Sequence, residues 1–464
     1  MISAKERYLF VEQMFEKLSH LSIEEIISLR IELKPYGRHY KALCPFHNDT
    51  HYGSFYVTPS MGIWKCFTCD VGGNGIKFIS QYDNIDYLHA AFKVAFEKNL
   101  ISIDEYNLYS QKGNFSSSYS KSLEKKHTTI HNSVNTACIS KEMRPVCNNV
   151  YKLIQQKCGL SSEHLAHLQN VRMLSEERIK QDYFSFPDTS YKKNKIIKEI
   201  QAAYPEYTNE ILMKVPGFYY DKKYQKVSFY GPSGIGILIH STEGYVIQIR
   251  RDHVKEGQPR YTWFSSAFAL YDEKYEGGAG PGSPRDILYP DKKGTNICIT
   301  EGRFKSEVIR QAGNVAISLQ GVSSQGDQNN NIVTDVNHIM KEYPIKRIYL
   351  MFDADGFSKP QVYKQLKRMI NTLSSSLPNI KIFVCCWHIS DGKGIDDVYI
   401  NGKIATVKYI LPSEYIDTYE EVFQSLLKKW NFSSERDVLK SPIEIRDKFY
   451  SELQSNEENA FLGN

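Results

Sequence analysis

The sequence has no long apolar run, and none of its hydrophobic stretches approaches the roughly 20 residues that span a bilayer. The N-terminal stretch MISAKERYLFVEQMFEKLSH carries charges throughout and lacks the apolar segment of a signal peptide, so we expect a cytoplasmic protein without a membrane partner. The cysteine count of nine is odd, so the cysteines cannot all pair in disulfides as in a secreted disulfide framework, which favours metal binding. The 464 residues, of which 41% are apolar, provide for two to four folded domains.

Positive charge is concentrated in the middle of the chain. Residues 121–260 contain 22 lysines and arginines against 14 acidic residues, an excess of +8, so the remainder sums to −3 of the overall +5. A basic middle between a cysteine cluster and an acidic cluster favours a polyanionic partner. The alternative is a solvated surface with a chance asymmetry of charge.

Changes in composition divide the chain into five segments. A helical pattern with a Ser22–Glu25 capping box opens the first segment, and a hairpin turn is predicted at Thr242-Glu243-Gly244. The segments are a metal-binding domain over 1–105, a flexible Ser- and Lys-rich linker over 106–143, a basic helical and β segment over 144–290, an alternating strand–helix domain over 291–412, and a helical tail over 413–464. We therefore predict a multidomain protein that combines α+β and α/β architecture, with a parallel sheet in the alternating domain.

Four potential metal ligands stand in two pairs, Cys44 with His47 and Cys66 with Cys69. The spacing C-x2-H-x18-C-x2-C lets each pair direct both side chains at one ion, as a closed tetrahedral Zn²⁺ site requires. Four protein ligands leave no open coordination position, so the zinc is predicted to be structural. One interpretation is that the zinc only folds a small ribbon.

The other interpretation gives the ribbon a binding role. Aromatic residues cluster near the second ligand pair, including Tyr56, Trp64 and Phe67. Together with Lys65 and Lys77, Trp64 would stack on the bases of a single strand and contact its phosphates.

Acidic residues follow three of the predicted strands in the alternating domain. They are Glu301 after ICIT, Asp353 and Asp355 after RIYLMF, and Asp391, Asp396 and Asp397 after KIFVCCWH. The carboxyl ends of parallel strands meet at one edge of a sheet, so these side chains are expected to lie close together. Clustered carboxylates repel one another unless cations neutralise them, which predicts bound Mg²⁺.

The chain resembles the bacterial DnaG-type primases, in a plasmid or phage-like variant. The C-x2-H…C-x2-C segment resembles their zinc ribbon. Glu301-Gly302, the Asp-x-Asp pair and the later acidic loop resemble the Toprim fold that primases share with topoisomerases. The resemblance covers residues 35–100 and 290–410 specifically, and 145–285 in outline.

This resemblance implies template-directed synthesis of short RNA primers from NTPs on single-stranded DNA. It implies that Mg²⁺ or Mn²⁺ is held by Glu301, Asp353 and Asp355, with help from Asp391 or Asp396. The side chains expected to bind template or triphosphate are Arg250, Arg251, Lys255, Arg260 and Lys305. Because no G-x4-G-K-[ST] motif occurs in the sequence, a separate replicative helicase is the expected partner.

Two departures from the family pattern bear on activity. Lys305 stands where primases usually carry a second acidic residue, and Asp396 and Asp397 are adjacent where an Asp-x-Asp is common. The alternative function is therefore a non-catalytic nucleic-acid-binding adaptor with a degenerate Toprim domain. A Toprim nuclease or topoisomerase is disfavoured, because none of the 32 tyrosines stands out as a nucleophile.

Overall fold

The computed structural model describes residues 4–37, 39–49, 53–69, 71–111, 115–131, 139–255, 258–282, 284–320, 331–356 and 359–463. The chain divides into two compact units, Met1–Asn135 with Leu427–Phe449 and Thr136–Leu426 with Tyr450–Asn464. Among the helices of these described ranges, none combines the length and apolarity needed to cross a membrane.

The first unit consists of helices around a small antiparallel sheet of order β1-β2-β3-β4-β5. Its N-terminal helices and strands are α1 (Ala4–Leu18), α2 (Ile23–Ile27), β1 (Lys34–Tyr36), β2 (His39–Ala42), β3 (Phe55–Thr58), β4 (Ile63–Cys66), β5 (Gly72–Gly73), α3 (Gly75–Asp83), α4 (Tyr87–Glu97), α5 (Ile103–Tyr109) and α6 (Ser117–His131). The predicted capping box at α2 is confirmed, because the Ser22 hydroxyl accepts from the Glu25 N–H and the Glu25 carboxylate accepts from the Ser22 N–H.

Helix α6 lies inside the segment 106–143 that the sequence predicts to be a flexible linker. Leu123 of this helix is 5% exposed in the core of the first unit, and Tyr119 packs edge-on against the ring of Tyr8. The Ser120 hydroxyl donates to Asp86 at 2.8 Å, which ties the helix to the N-terminus of α4. Widely spaced apolar residues in a polar background are enough for a helix that packs along one narrow face, so the Ser-rich composition was misleading here. Residues 112–114 and 132–138 of this segment lie outside the described ranges.

The C-terminal tail was predicted as a separate segment, and part of it belongs to the first unit. The tail contains α16 (Pro412–Lys429), α17 (Glu435–Lys440) and α18 (Ile443–Leu462). The Asn48 N–H donates to the Leu439 carbonyl at 3.0 Å, and the Arg446 guanidinium donates to the Asn48 carbonyl at 3.2 Å. Residues almost 400 positions apart are thus joined at the loop that follows His47.

The second unit begins with helices and two antiparallel sheets, of order β11-β10-β9-β6 and β12-β7-β8. Its elements up to residue 276 are α7 (Arg144–Cys158), α8 (Ser162–Ala166), α9 (Glu176–Asp182), β6 (Tyr183–Ser185), α10 (Ser190–Ala203), α11 (Asn209–Leu212), β7 (Phe218–Asp221), β8 (Lys226–Phe229), β9 (Gly234–Ser241), β10 (Gly244–Arg251), β11 (Tyr261–Trp263) and β12 (Tyr275–Glu276). The predicted hairpin is confirmed, since β9 and β10 pair from Ser241 and Gly244 outwards across the Thr242-Glu243 turn.

The same unit continues as a six-stranded sheet of order β13-β15-β14-β16-β17-β18 with helices between its strands. Its elements are β13 (Asp286–Leu288), β14 (Asn296–Glu301), α12 (Arg303–Gln311), β15 (Val315–Leu319), α13 (Ile332–Met340), β16 (Arg347–Met351), α14 (Pro360–Ser376), β17 (Lys381–Cys386), α15 (Ile395–Ile400) and β18 (Lys408–Ile410). The predicted strand–helix alternation is confirmed, and the four central strands are parallel. The sheet is mixed rather than all parallel, because both edge strands run antiparallel.

A buried ion network crosses the boundary that the sequence placed between residues 290 and 291. Arg303, at the start of α12, is 1% exposed. Its guanidinium donates to Asp286 at 2.8 Å, to Glu307 at 2.9 Å and to the Leu238 carbonyl at 3.1 Å, and it also pairs with Asp182. Because these partners come from β9, β13 and the end of α9 as well as from α12, residues on both sides of position 290 form one compact unit.

A second arginine completes this network. Arg178 of α9 donates to Glu307 at 2.8 Å and pairs with Asp182. The Tyr183 hydroxyl donates to Glu307 at 2.8 Å. Burial by itself raises the pKa of Asp182 and of Glu307, but the positive charges of Arg303 and Arg178 outweigh it and hold both pKa values below their ordinary range.

Substitution Arg303→Met should destabilise the second unit strongly. It leaves Asp182 and Asp286 buried without their main counter-charge, which costs about 3–5 kcal/mol of the free energy of unfolding. The measurement is amide hydrogen exchange in α12 and β14. Lys192→Met is the control, because Lys192 forms an exposed i,i+4 pair with Asp188, and its loss should cost less than about 0.5 kcal/mol. Equal effects of the two substitutions would contradict a stabilising role for the network.

The stability difference between wild type and Arg303→Met should also shrink as the pH falls from 6 to 3. Carboxylates with a lowered pKa stabilise the folded state above their unfolded pKa of about 4, and this contribution is lost on acidification. In the variant the same groups are buried without Arg303, so protonation relieves their cost. Hydrogen exchange at matched pH values would show a constant difference if these carboxylates were not coupled to Arg303.

Candidate zinc centre and acidic site

The four predicted zinc ligands converge in the first unit. The ligand atoms of Cys44, His47, Cys66 and Cys69 all lie within 4.8 Å of one another. The Cys44 and Cys69 sulfur atoms are 3.7 Å apart, which matches the roughly 3.8 Å between two thiolates on one tetrahedral Zn²⁺. The donor set and spacing therefore fit a structural zinc ion.

Asp49 supports this cluster from outside. Its carboxylate accepts from the Cys44 N–H at 2.9 Å and from the Ser54 hydroxyl, and it lies 3.7 Å from the His47 Nε2 atom. The Nδ1 atom of His47 faces the Cys66 sulfur at 3.8 Å. Asp49 therefore supports the cluster through its hydrogen bond to the backbone of the ligand Cys44, and it places a negative charge near the His47 ring. Asp49 was not predicted from the sequence, although its position two residues after His47 was a usable signal.

The prediction that Trp64 is displayed to a ligand is wrong. Trp64 is 1% exposed, and its indole N–H donates to the Asn74 carbonyl at 3.0 Å. Side chains alternate along β4, so Trp64 points to the same face as the zinc ligand Cys66, while Lys65 points to the opposite face. Lys77 is paired with Glu124.

The outer face of the ribbon sheet carries a different set of rings. Phe67 is 68% exposed and lies edge-on to Tyr56, with ring centroids 5.6 Å apart. The Lys41 ammonium lies between two rings, 3.4 Å from the centroid of Tyr36 and 4.8 Å from that of Tyr56. We define the ring face as Tyr36, Lys41, Tyr56, Lys65 and Phe67. It presents flat aromatic surfaces at Tyr36 and Phe67 and the half-buried Lys65, whereas the Lys41 side chain is buried against the rings.

In the second unit, the predicted acidic residues lie at the carboxyl edge of three neighbouring parallel strands. Glu301 is the last residue of β14, Asp353 and Asp355 follow β16, and Asp396 lies in α15 after β17. The Ala354 N–H donates to the Lys393 carbonyl at 2.9 Å, which joins the second acidic loop to the third.

Gly302 allows the chain to turn directly after Glu301. Its φ of +85° is left-handed, a conformation that disfavours any other residue type. Its N–H donates to the Leu319 carbonyl at 3.0 Å, so the turn is tied to the end of β15. The glutamate is thereby fixed at the strand end, two residues before the buried Arg303.

Lysines neutralise the Asp-x-Asp pair. The ammonium of Lys305 pairs with Asp353, and those of Lys359 and Lys393 lie 2.8 and 3.0 Å from Asp355. The hydrogen bond to Asp355, reinforced by the charges of Asp353 and Glu301, raises the pKa of Lys393. Among the described residues, the Cys/His cluster is the one group of three or more metal-ligating side chains brought close together.

The three acidic residues of the third loop have different surroundings. Asp391 accepts from the Thr406 hydroxyl at 2.8 Å, and Asp397 accepts from the Gly394 N–H at 3.1 Å. Asp396 lies 3.8 Å from the Arg172 guanidinium. Burial and the neighbouring Asp397 raise the pKa of Asp396, against the charges of Lys305 and Arg172. Of the three acidic residues in this loop, Asp396 is therefore the one whose pKa is affected by Lys305 of the acidic site and by Arg172.

The oxygen donors at this edge suit a hard cation such as Mg²⁺. The carboxylates of Glu301, Asp353 and Asp355 provide the ligand chemistry, and the lysines show that the site attracts positive charge.

A cationic group lies next to the acidic site. The group comprises Arg172, Arg250 and Arg260, with His167 beside them. Burial lowers the pKa of the Arg250 guanidinium, and the charges of Arg172 and Arg260 act in the same direction. Burial and the charges of Arg250 and Arg172 likewise lower the pKa of His167. Such mutual repulsion between cations is relieved by a bound anion.

Several donors of this region are unused. Within the described ranges, the Nε atoms of Arg172, Arg250 and Arg251 and the Nε2 atom of His167 are buried without a hydrogen-bond partner. Of the predicted binding residues, Arg250 and Arg260 thus come together, Arg251 ends β10, and Lys255 is exposed in the following loop. Arg172 was not predicted from the sequence, because nothing in the local pattern links it to the acidic site, which lies more than 100 residues later in the chain.

Two family matches agree with these two sites. Residues 10–109 match the CHC2 zinc finger family, and residues 288–405 match a domain of unknown function, DUF3854. The first match covers the zinc centre, and the second covers the acidic edge.

Relatives of the chain carry the name DNA primase. The primase of Buchnera aphidicola is 24% identical over 372 residues, which are 77% of this chain and 55% of that protein. The primase of Aquifex aeolicus is 47% identical over 75 residues, which are 16% of this chain and 15% of that protein. The chain thus spans about half the length of the Buchnera protein and less of the Aquifex one.

Two solved structures are also similar. A crystal structure of the zinc-binding and RNA polymerase domains of the Aquifex aeolicus primase has a TM-score of 0.37 at 18% identity, over 100% of this chain and 99% of that one. A primase domain from Pseudomonas aeruginosa has a TM-score of 0.40 at 12% identity, over 69% of this chain and 99% of that one.

The fold and sites define a multidomain α+β and α/β chain with an N-terminal zinc ribbon and a Toprim-like domain that carries an acidic edge. The chain is a relative of the bacterial DnaG-type primases, as the zinc finger match and the primase relatives show.

Substitution Asp49→Asn should weaken zinc binding about 10–100-fold and leave the stoichiometry at one ion per chain, because the four metal ligands remain but the charged acceptor of the Cys44 N–H is lost. Zinc affinity is measured by competition with a chromophoric chelator. Asp104→Asn, an exposed residue of α5, is the matched control and should leave the affinity unchanged. An unaltered affinity in Asp49→Asn would contradict the supporting role.

Proposed function

We propose that the protein is a DNA primase that synthesises short RNA primers from NTPs on single-stranded DNA. The observation that carries the proposal is the adjacency of the carboxylate edge at Glu301, Asp353 and Asp355 to a cationic group with unused donors. Polymerisation of nucleotides needs both parts, since the acidic part holds cations and the basic part holds phosphates.

In this proposal Glu301, Asp353 and Asp355 hold Mg²⁺ or Mn²⁺, and Asp396 completes the set. The cation would activate the attacking hydroxyl and stabilise the leaving pyrophosphate. Asp391 was an equal candidate from the sequence, but its bond to Thr406 favours a role in holding the loop.

The lysines of the site have a role that follows from their charge. Lys305, Lys359 and Lys393 neutralise the carboxylates in the absence of substrate. A triphosphate offers the same ammonium groups a stronger set of acceptor oxygens. As the nucleotide binds, Lys305 and Lys393 would therefore exchange their ion pairs with the Asp-x-Asp residues for ion pairs with the triphosphate.

The unused donors of Arg172, Arg250 and Arg251 would bind the phosphates of the template. Arg172 lies against the ring of Phe304, 4.4 Å from its centroid, and reaches towards Asp396. It would connect the template to the acidic edge.

The ring face of the zinc ribbon is the second proposed contact with single-stranded DNA. Exposed rings such as Phe67 stack on bases of any sequence, and Lys65 would contact the backbone. A separate replicative helicase remains the proposed partner, and the cytoplasm the proposed compartment.

One observation favours the alternative of a non-catalytic adaptor. Both carboxylates of the Asp-x-Asp pair are neutralised by lysines, and one of these, Lys305, stands where primases usually carry an acid. Such a protein would bind DNA through the same arginines and rings but join no nucleotides.

Substitution Asp353→Asn should reduce primer synthesis by roughly 100-fold or more, because the cation loses a ligand at the reacting phosphate. Affinity for single-stranded DNA should remain, since no phosphate contact is removed. Synthesis is followed with labelled NTPs, and Asp291→Asn is the control, because its side chain is 92% exposed. Primer synthesis at the wild-type rate in Asp353→Asn would place catalysis elsewhere, and no synthesis by the wild type would favour the adaptor.

Substitution Arg250→Ala should weaken binding of single-stranded DNA roughly fivefold and reduce the slope of log affinity against log salt by about 1. Fluorescence anisotropy over a salt series measures both quantities. Arg368→Ala removes the same charge from an exposed position on α14 and should leave the slope unchanged. A slope that is identical in the two variants would exclude Arg250 from the phosphate contacts.

A further inference from the structure

A cavity of about 400 Å³ opens beside Glu301 in the second unit. Its walls come from β10 and β11 on one side and from the ends of β14 and β15 on the other. Gln248, Arg260 and Trp263 line it from the first side, and Glu301 and Gln320 line it from the second. The cavity therefore combines an indole face, amide groups and a positive charge directly next to the proposed cation site.

Two glutamines meet in this cavity. Gln248, in the middle of β10, is 3% exposed and donates its amide N–H to the carbonyl oxygen of the Gln320 side chain. This contact orients the Gln320 amide. The Nε2 atom of Gln320 is then left buried without a hydrogen-bond partner within the described ranges. An unused buried donor costs free energy unless a ligand supplies an acceptor.

The position of Gln320 relative to Glu301 identifies the part of a ligand that it would meet. Leu319 is the register partner of Glu301 in the parallel pair β14–β15, and Gln320 is the next residue. Gln320 therefore lies one residue beyond the position that pairs with Glu301, whose carboxylate is proposed to hold the cation. In a nucleotide, the group bonded to the reacting phosphates is the sugar, whereas the base lies further away.

We propose that the Nε2 atom of Gln320, oriented by Gln248, donates a hydrogen bond to the 2′-hydroxyl of the incoming nucleotide and so selects NTPs over dNTPs. This inference rests on the proposed polymerase function and adds a specificity residue to it. A site built around a substrate hydroxyl discriminates against the analogue that lacks it, because the analogue leaves the buried donor unpaired. Trp263 would provide the flat surface against which the nucleotide lies.

The test compares incorporation of NTPs and dNTPs on a single-stranded template. The wild type should prefer NTPs by roughly tenfold or more, and Gln320→Leu should reduce this preference to about threefold or less. The loss should fall on the NTPs, since a dNTP makes no use of the donor. Gln201→Leu is the matched control, because Gln201 makes the same kind of amide contact with Asn209 at the protein surface, and it should keep the wild-type preference.

A second variant covers the case in which Gln320→Leu fails to fold. Gln248→Glu keeps the shape of the side chain, and its carboxylate can accept from the Gln320 amide and so occupy the donor. It should also lose the ribose preference, and because the new carboxylate is buried it should unfold cooperatively but at a lower temperature than the wild type. Calorimetric binding of a non-hydrolysable ATP analogue and of its 2′-deoxy form gives the same comparison without catalysis.

The outcomes distinguish a wrong assignment of Gln320 from a wrong assignment of the primase function. If the wild type makes primers and both glutamine variants keep its preference for NTPs, the assignment of Gln320 is wrong and the primase function stands. If instead the variants change the preference among the four bases and leave the ribose preference intact, the cavity binds the base and the inference is overturned. If the wild type joins no nucleotides, the proposed function fails, and the calorimetric comparison still decides whether Gln320 recognises a 2′-hydroxyl.

Discussion

The buried arginine at position 303 is the interaction on which the second unit depends. Its guanidinium holds together three carboxylates and a backbone carbonyl from α9, β9, β13 and α12. Arg303 comes two residues after Glu301 and two residues before Lys305. This one buried side chain therefore sets the position of the strand end at Glu301 and also that of Lys305, which pairs with Asp353. A hydrophobic contact would fill the space equally well, but a guanidinium with fixed donor directions also fixes orientation. The acidic edge and the basic β segment are therefore held in register by one side chain.

Most of the fold could be predicted from local patterns. The strand–helix alternation after residue 296, the zinc ligands, the hairpin at Thr242-Glu243 and the cap at Ser22 all have signals within a few residues. The direction of Trp64 could have been predicted too, because a residue two positions before a zinc ligand on a strand must share its face. The helix over Ser117–His131 was missed because its apolar residues are few and only tertiary packing makes them sufficient.

The parts that could not be predicted are those in which charges meet across long separations. Arg303 and Asp182 are 121 residues apart, and Arg172 and Asp396 are 224 apart. A sequence pattern shows where a charge is, but which other charge neutralises it depends on the fold. Glu301, Asp353 and Asp355 lie at or just after the ends of adjoining strands. The lysines paired with the Asp-x-Asp residues come from α12, from the N-cap of α14 and from the loop after β17.

The pairing of Asn48 with Leu439 and Arg446 has a consequence for how the chain is made. Ribosomes release a protein from its N-terminus, and domains generally fold in that order as they emerge. Here the loop after the first two zinc ligands forms hydrogen bonds with residues that are synthesised almost 400 residues later. The ribbon can bind its metal early, but its surroundings are completed only after Leu439 and Arg446 have left the tunnel. The first unit therefore begins to fold before the second unit is made and is completed only after most of the second unit has been synthesised.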